Sequence, residues 1–159
     1  MRRAAVFAHY DKDRIIDDYV IYYIRSLKEI FDNIVFVSCL EIPEEEIAKL
    51  DGIADYVICE NHNEYDFGSY KRGYFYLLSK GLEENYDELA FVNDSCYGPL
   101  YPFKPIIEQV GECDFWGMTR NLEWREHIQS FFIVFKKQVF TSEIFKNFMA
   151  SLKDEEKKL

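Results

Sequence analysis

Three short polar segments carry most of the chemistry this sequence could do: His9 to Asp13, Asn61 to Lys71 and Asn93 to Gly98. In the third, Asn93-Asp94-Ser95 follows an apolar run directly. Asp94 could hold a divalent cation, Mg²⁺ or Mn²⁺, against a diphosphate, with Asn93 and Ser95 as neutral oxygen donors. Mg²⁺ takes one or two protein carboxylates and completes its shell with phosphate and water. The plainer reading is a turn whose side chains cap the next segment.

The second segment contains Tyr65-Asp66-Phe67-Gly68-Ser69-Tyr70-Lys71-Arg72. A glycine and a hydroxyl open a predicted helix and two cations follow in its first turn. Helix N-termini bind phosphate through free N–H groups, and Lys71 or Arg72 could add charge-assisted bonds. Asp66 could cap the helix or meet a nucleoside hydroxyl. The competing reading is a capped surface helix. His127 precedes a predicted strand and could face the same edge, although lone histidines are more often structural or simply exposed. Several chemistries are excluded by missing motifs. No P-loop, G-x-G-x-x-G fingerprint, nucleophile elbow or Ser-His-Asp order is present, and Asp-Phe-Gly stands without the other kinase motifs.

These segments need a scaffold, and the pattern supplies one. Ala4 to Ala8, Ile34 to Val37, Tyr56 to Cys59 and Leu89 to Val92 are short apolar runs of strand type. Steps of three and four from Ile15 to Phe31 predict an amphipathic helix, with Asp11 or Asp13 placed to cap it. Pro43 and three glutamates open a second helix. Gly68 to Lys80 and Ser142 to Leu152 read as two more, and Phe115 to Met118 and Ile128 to Phe135 as two further strands. Alternating strands and helices with short connections favour a mainly parallel open sheet flanked by helices. Such sheets bind ligands at the carboxyl ends of their strands, which selects the three polar segments above.

With 159 residues, residues 1–152 are expected to form one domain and 153–159 a charged tail. The net charge is −10, which disfavours nucleic acid and anionic membranes as partners. The four cysteines have neither zinc-knuckle nor C-x-x-C spacing and are expected as reduced thiols in a cytosolic protein. No signal peptide or transmembrane span is expected.

Five blocks taken in order resemble the rhamnan synthesis protein F family of bacterial cell-wall polysaccharide proteins. They are Ala5-Val6-Phe7-Ala8-His9-Tyr10-Asp11, Tyr65-Asp66-Phe67-Gly68-Ser69-Tyr70-Lys71, Asn93-Asp94-Ser95-Cys96-Tyr97-Gly98-Pro99, Asp114-Phe115-Trp116-Gly117-Met118-Thr119 and His127-Ile128-Gln129-Ser130-Phe131-Phe132. The resemblance implies a GT-A-like, Rossmann-like glycosyltransferase domain acting in rhamnose-containing polysaccharide synthesis, with a nucleotide-sugar donor such as dTDP-rhamnose and a glycan or lipid-linked glycan acceptor. It implies that His9, Tyr10 and Asp11 flank the nucleoside, and that Asp66, Gly68 and Lys71 lie near ribose or phosphate. Asn93-Asp94-Ser95 takes the place of the D-x-D motif, with one carboxylate where that motif has two. Asp94 and His127 are then the candidate ligands of the Mg or Mn ion. The catalytic base of such enzymes comes from beyond the matched region, so Asp114 and Glu143 are the substitutes within it. Asp154, Glu155 and Glu156 lie in the tail and are poorer candidates. A cytoplasmic protein, peripheral at the inner face of the membrane through a partner of polysaccharide assembly, is the matching location. Two rivals are a non-catalytic nucleotide-sugar-binding or scaffolding subunit, and a hydrolase or phosphatase using Asp11 or Asp94 as nucleophile.

Overall fold

A computed structural model describes residues 1–153. The first half of the chain runs β1 (Arg3–His9), α1 (Asp18–Lys28), β2 (Asn33–Ser38), α2 (Glu44–Ile47), β3 (Tyr56–Cys59), α3 (Tyr65–Ser79) and α4 (Leu82–Asn85). The second half runs β4 (Glu88–Asn93), α5 (Lys104–Gln109), β5 (Phe115–Gly117), β6 (Arg120–Asn121), β7 (His127–Ile128), β8 (Phe132–Lys136), α6 (Lys137–Phe140) and α7 (Glu143–Ser151).

Six strands form one sheet in the order β3-β2-β1-β4-β8-β5, and β6 and β7 form a separate ribbon. β1 to β4 are mutually parallel; β8 is antiparallel to β4 and β5 antiparallel to β8. The mainly parallel sheet flanked by helices is therefore as the alternating pattern predicts. Among the described residues, no helix is long and apolar enough to cross a membrane.

Side-chain alternation along each strand divides the core into two layers. Phe7 and Phe36 face α1, where they pack with Tyr23, Ile24 and Leu27. Val6 and Phe91 face α3 and α7, against Tyr70, Tyr74 and Phe145. Gly73 lets α3 approach β1: a Cβ there would lie 2.3 Å from Val6 Cγ1. Aromatics bind this layer together; Tyr70 stacks on Phe91 at 4.6 Å and Phe145 meets Phe135 edge-on at 5.0 Å.

One device fixes the starts of the parallel strands. Asp32, Asp55 and Asp87 each immediately precede a strand or stand one residue before it. Each donates its backbone N–H to the carbonyl of a residue at the start of the neighbouring strand and accepts that same residue's N–H on its carboxylate. The partners are Arg3, Ile34 and Arg2, with side-chain bonds of 2.7, 2.7 and 2.8 Å. Beside them Glu88, buried at 2% exposure, meets Arg3 Nε at 2.5 Å and also pairs with Lys136.

Several element boundaries differ from expectation, and two of the differences have a clear structural cause. α1 begins at Asp18, because Ile16 is a buried loop anchor whose N–H donates to Glu46 Oε2 at 2.7 Å. Neither Asp11 nor Asp13 caps it; Asp11 Oδ1 accepts from Asp13 N at 2.8 Å and closes its own turn. The expected strand Ile128 to Phe135 is split into β7 and β8, since residues 127–128 pair with β6 instead of β4.

Candidate functional site

The parallel register brings the ends of β1, β2, β3 and β4 to one edge of the sheet, as the pairs His9↔Ser38, Ser38↔Cys59 and Ala8↔Asn93 require. The loops leaving that edge enclose a cleft of about 870 Å³. Its lining includes Tyr10 and Lys12 from the first loop, Cys39 from the second, His62 and Asp66 from the third, and Asp94 and Ser95 from the fourth.

Asp94 is the most firmly placed of these. Its Oδ2 accepts from Tyr10 N at 3.1 Å and faces His9 Nδ1 at 2.7 Å. The other ring nitrogen of His9 lies 3.1 Å from the Ile15 carbonyl, which only accepts, so Nε2 carries a hydrogen. His9 is 2% exposed and has both nitrogens engaged. It therefore orients Asp94 from behind and does not itself reach the position expected beside a nucleoside.

Asp66 stands in the first turn of α3 and accepts from Asn93 Nδ2 at 2.7 Å. Asn93 in turn accepts from Ser95 N at 3.0 Å, so one buried amide ties α3 to the loop after β4. Burial raises the Asp66 carboxyl above its ordinary range and the neighbouring Asp94 adds to the rise, while the Asn93 bond partly offsets both. The cleft thus holds two carboxylates close enough to repel, and neither is paired with a lysine or arginine among the described residues.

The α3 entrance is built differently from expectation. His62 accepts from Glu64 N at 3.2 Å on Nδ1, so in its neutral form Nε2 donates to Ser69 Oγ at 3.0 Å. Burial, with Arg72 next, holds this imidazole below its ordinary pKa. Gly68 is needed for that packing: a Cβ would lie 2.2 Å from Glu64 Cβ and 2.9 Å from His62 Cε1. Lys71 turns away from the cleft, donating to the Leu152 carbonyl at 2.7 Å and pairing with Glu64 at 3.3 Å. The expected phosphate contacts of Gly68 and Lys71 are not supported by this arrangement.

Three more candidates lie apart. His127 is exposed on the β6–β7 ribbon, with Nδ1 at 2.9 Å from the Arg125 carbonyl, and is not in the cleft lining. Asp114 precedes β5, where Lys136 N donates to its carbonyl at 2.8 Å; Lys136 pairs with Glu88, at the opposite end of the sheet. Glu143 opens α7 and neighbours Lys146, which binds Glu83 at 2.5 Å just before β4 begins. Asp114 and Glu143 therefore sit at the starts of the parallel strands, away from Asp94. Asp154, Glu155 and Glu156 lie outside the described residues.

Lys12, Cys39 and Tyr65 line the cleft without having been singled out by the sequence. Lys12 and Cys39 were findable, since each follows a parallel strand at its carboxyl end. Cys39 is half-buried; burial pushes its thiol up, and Asp66 and Asp94 add to this.

The donors fit a divalent cation only as a shared ligand. Among the described residues no three His, Cys, Asp or Glu side chains converge to hold a metal unaided. Asp94 and Asp66, with Asn93 between them, match an ion whose remaining positions are taken by phosphate and water.

A family model described as rhamnan synthesis protein F matches residues 34–158. Virulence protein VirA of Vibrio anguillarum is 31% identical over 156 residues, covering 96% of this chain and 49% of that protein; the sequence from strain ATCC 68554 / 775 gives the same figures. The chain thus spans about half the length of the curated relatives it matches. Among solved structures, 4-diphosphocytidyl-2C-methyl-D-erythritolsynthase from Anaerococcus prevotii DSM 20548 is similar with a TM-score of 0.53 and 14% identity, over 94% of this chain and 76% of that one. A glycosyltransferase involved in the glycosylation of the major capsid of PBCV-1 gives a TM-score of 0.47 and 15% identity, over 94% and 66%. At such identities the first of these likenesses concerns the fold alone.

Proposed function

This chain belongs to the rhamnan synthesis protein F family, and we propose that residues 1–152 act as a GT-A-like glycosyltransferase domain that binds a nucleotide-sugar in the Asp94 cleft. The reaction is attack by an acceptor hydroxyl on the anomeric carbon of the donor. The bond to the nucleoside diphosphate breaks, and the hydroxyl proton passes to a base. The sugar is rhamnose or another hexose of a surface polysaccharide, and dTDP-rhamnose is the first donor to test.

The observation that carries this reading is the paired carboxylates Asp94 and Asp66 at the carboxyl edge of the sheet, without a lysine or arginine partner. Two anions held close in a cleft favour a cation there, and a cation is what an anionic diphosphate needs. A bound Mg²⁺ or Mn²⁺ would stabilise the charge that develops on the leaving group. Asp94 and Asp66 would hold it; His9 and Tyr10 N keep Asp94 oriented; Lys12 supplies positive charge from the facing loop.

A thermal-shift panel of nucleoside diphosphates and nucleotide-sugars, with and without Mg²⁺ or Mn²⁺, tests the reading. A ligand at 100 times its Kd adds roughly 2.7 kcal/mol to stability. One nucleotide-sugar should stand out, and more so with metal. Silence across the whole panel would overturn the proposal.

A second reading is a nucleotide-sugar-binding subunit without transfer activity of its own. The remoteness of Asp114 and Glu143 from the cleft supports it. Incubation of the purified chain with donor and a rhamnan-type acceptor separates the two: transfer favours the enzyme, donor binding without transfer the subunit.

A further inference from the structure

β5 runs in the same direction as β4, because both are antiparallel to β8 between them. The loop after β4 and the β6–β7 hairpin after β5 therefore leave the sheet at the same rim. They border one groove of about 200 Å³, with Tyr97, Leu100 and Tyr101 on the loop side and Met118 and Phe131 at the foot of the hairpin. Both carry large apolar side chains out into water. Tyr97, Leu100 and Tyr101 are 81%, 88% and 77% exposed, Leu122 is 67% exposed, and Trp124 is wholly exposed. Each protrusion is held from beneath. Tyr19 donates its hydroxyl to the Asp94 carbonyl at 3.3 Å and meets the Tyr97 ring edge-on at 4.5 Å, and Tyr22 donates to the Pro99 carbonyl at 2.9 Å. At the hairpin tip, Arg125 N donates to the Glu123 carbonyl at 2.7 Å and closes a three-residue turn around Trp124, whose φ is 65°. That turn is rare and strained for a bulky residue. Asn121 Oδ1 accepts from Glu123 N at 2.7 Å, and Arg120 pairs with Glu126 at 2.8 Å across the ribbon, so the tip is braced on both sides.

We propose that these two tips dock the chain directly on a zwitterionic phospholipid surface, with the rings of Tyr97, Tyr101 and Trp124 at headgroup level and Leu100 and Leu122 beside them. Three observations select this occupant. The first is residue type: Trp and Tyr present an apolar body with a polar edge, and they collect where water meets hydrocarbon. The second is shape. Two separate protrusions with a groove between them suit a deformable surface, whereas a protein partner needs about 800 Å² of matched surface on each side. The third is charge, which decides the lipid. The chain is 30% charged with a net charge of −10, yet residues 95–103 carry no charged side chain, and Arg120 and Arg125 of the hairpin balance Glu123 and Glu126. A neutral face stands on an acidic body, so anionic headgroups gain nothing from the face and repel the remainder. Docking of this kind requires neither donor nor metal and stands apart from the sugar-transfer reading. Because the Asp94 cleft opens at the same rim, a docked chain turns its cleft towards the lipid.

The test titrates the full chain with phosphatidylcholine vesicles and reads co-sedimentation together with tryptophan emission. Trp116 is half-buried beside Phe132, so a lipid-induced blue shift reports Trp124, and Trp124→Phe should remove the shift while most of the binding stays. Phosphatidylcholine brominated on its acyl chains should quench the wild-type emission and leave that of Trp124→Phe unchanged. Trp124→Ala should weaken partitioning about tenfold, and the double variant Tyr97→Ala/Leu100→Ala at least as much. All these positions are exposed, and unchanged melting temperatures confirm that the variants fold. Vesicles containing phosphatidylglycerol should bind less well at low salt, and added salt should narrow the difference. No sedimentation with phosphatidylcholine, or sedimentation indifferent to Trp124→Ala and to the double variant, would overturn the proposal. So would binding that requires phosphatidylglycerol and is lost in salt. Concentration-dependent association without lipid that Trp124→Ala abolishes would overturn it too and assign the face to a second copy of the chain.

Discussion

Where the parallel strands begin, four carboxylates have firm counterparts: Glu88 lies between Arg3 and Lys136, and Asp32, Asp55 and Asp87 each hold a backbone N–H. Where the same strands end, Asp94 has an imidazole and an N–H, and Asp66 has one amide and a repelling neighbour. The sheet is thus electrostatically settled at its start and unsettled at its finish. A group that folding leaves poorly satisfied is one that a ligand can satisfy, which is why stability and function tend to separate spatially.

The contrast can be broken most directly at Glu88. Glu88→Gln removes a buried charge and leaves two cations beside it. Their partial exposure moderates the effect, so about 2–3 kcal/mol of stability should be lost in urea unfolding, with nucleotide binding unchanged. Asp94→Asn should do the reverse. Stability should move by no more than about 1 kcal/mol, while metal-dependent diphosphate binding by calorimetry weakens at least tenfold, or ~1.4 kcal/mol. Equal destabilisation by the two substitutions would remove the distinction between the ends.

Lysine substitutions sharpen it further. Lys12→Ala should weaken a nucleoside diphosphate about fivefold and leave the free nucleoside nearly unaffected. Lys71→Ala should cost about 0.5 kcal/mol of stability and leave diphosphate affinity alone. The opposite ranking would restore Lys71 to the site.

Two pH effects are smaller. The Asp66 carboxyl is raised in the folded protein, so the folded state binds its proton more tightly than the unfolded state. Its charge opposes folding once the pH rises through the raised value, and Asp66→Asn should leave melting at neutral pH unchanged or slightly higher. The same variant should lose cation affinity. The His62 imidazole is lowered, so the unfolded state binds its proton more tightly. Its share of stability is complete above the ordinary imidazole value and declines as the pH falls toward the lowered one. Amide exchange around residues 62–69 should rise over that interval, and His62→Gln should flatten the rise.

Strand identity was legible because the apolar runs of β1 to β4 are short and bounded by polar residues, and their alternation with helices left few topologies. The carboxyl-edge rule then selected the loops of Asp94, Asp66 and Tyr10 correctly as neighbours. Individual roles were less legible. His9 and Asp94 are 85 residues apart, and nothing local marks His9 as facing backward. Lys71 follows Asp66 by five residues in α3, about 140° further round the helix, and so lies on another face. Ile16 fits a helical step while sitting in a loop, since a buried anchor and a helix face require the same residue type. The β6–β7 ribbon, two residues per strand, is too short for any periodicity to announce it.

The aspartates before β2, β3 and β4 bear on how this architecture can change. A slip of one residue in any of these pairings would turn every side chain to the wrong layer and would also misalign a two-bond clasp. Alignment is therefore keyed at one rim of the sheet. The loops at the other rim are released from that duty and can lengthen, shorten or exchange residues without unzipping the strands beneath. A lineage built on this plan can try new ligands by rewriting its loops, while the clasps keep the frame in register.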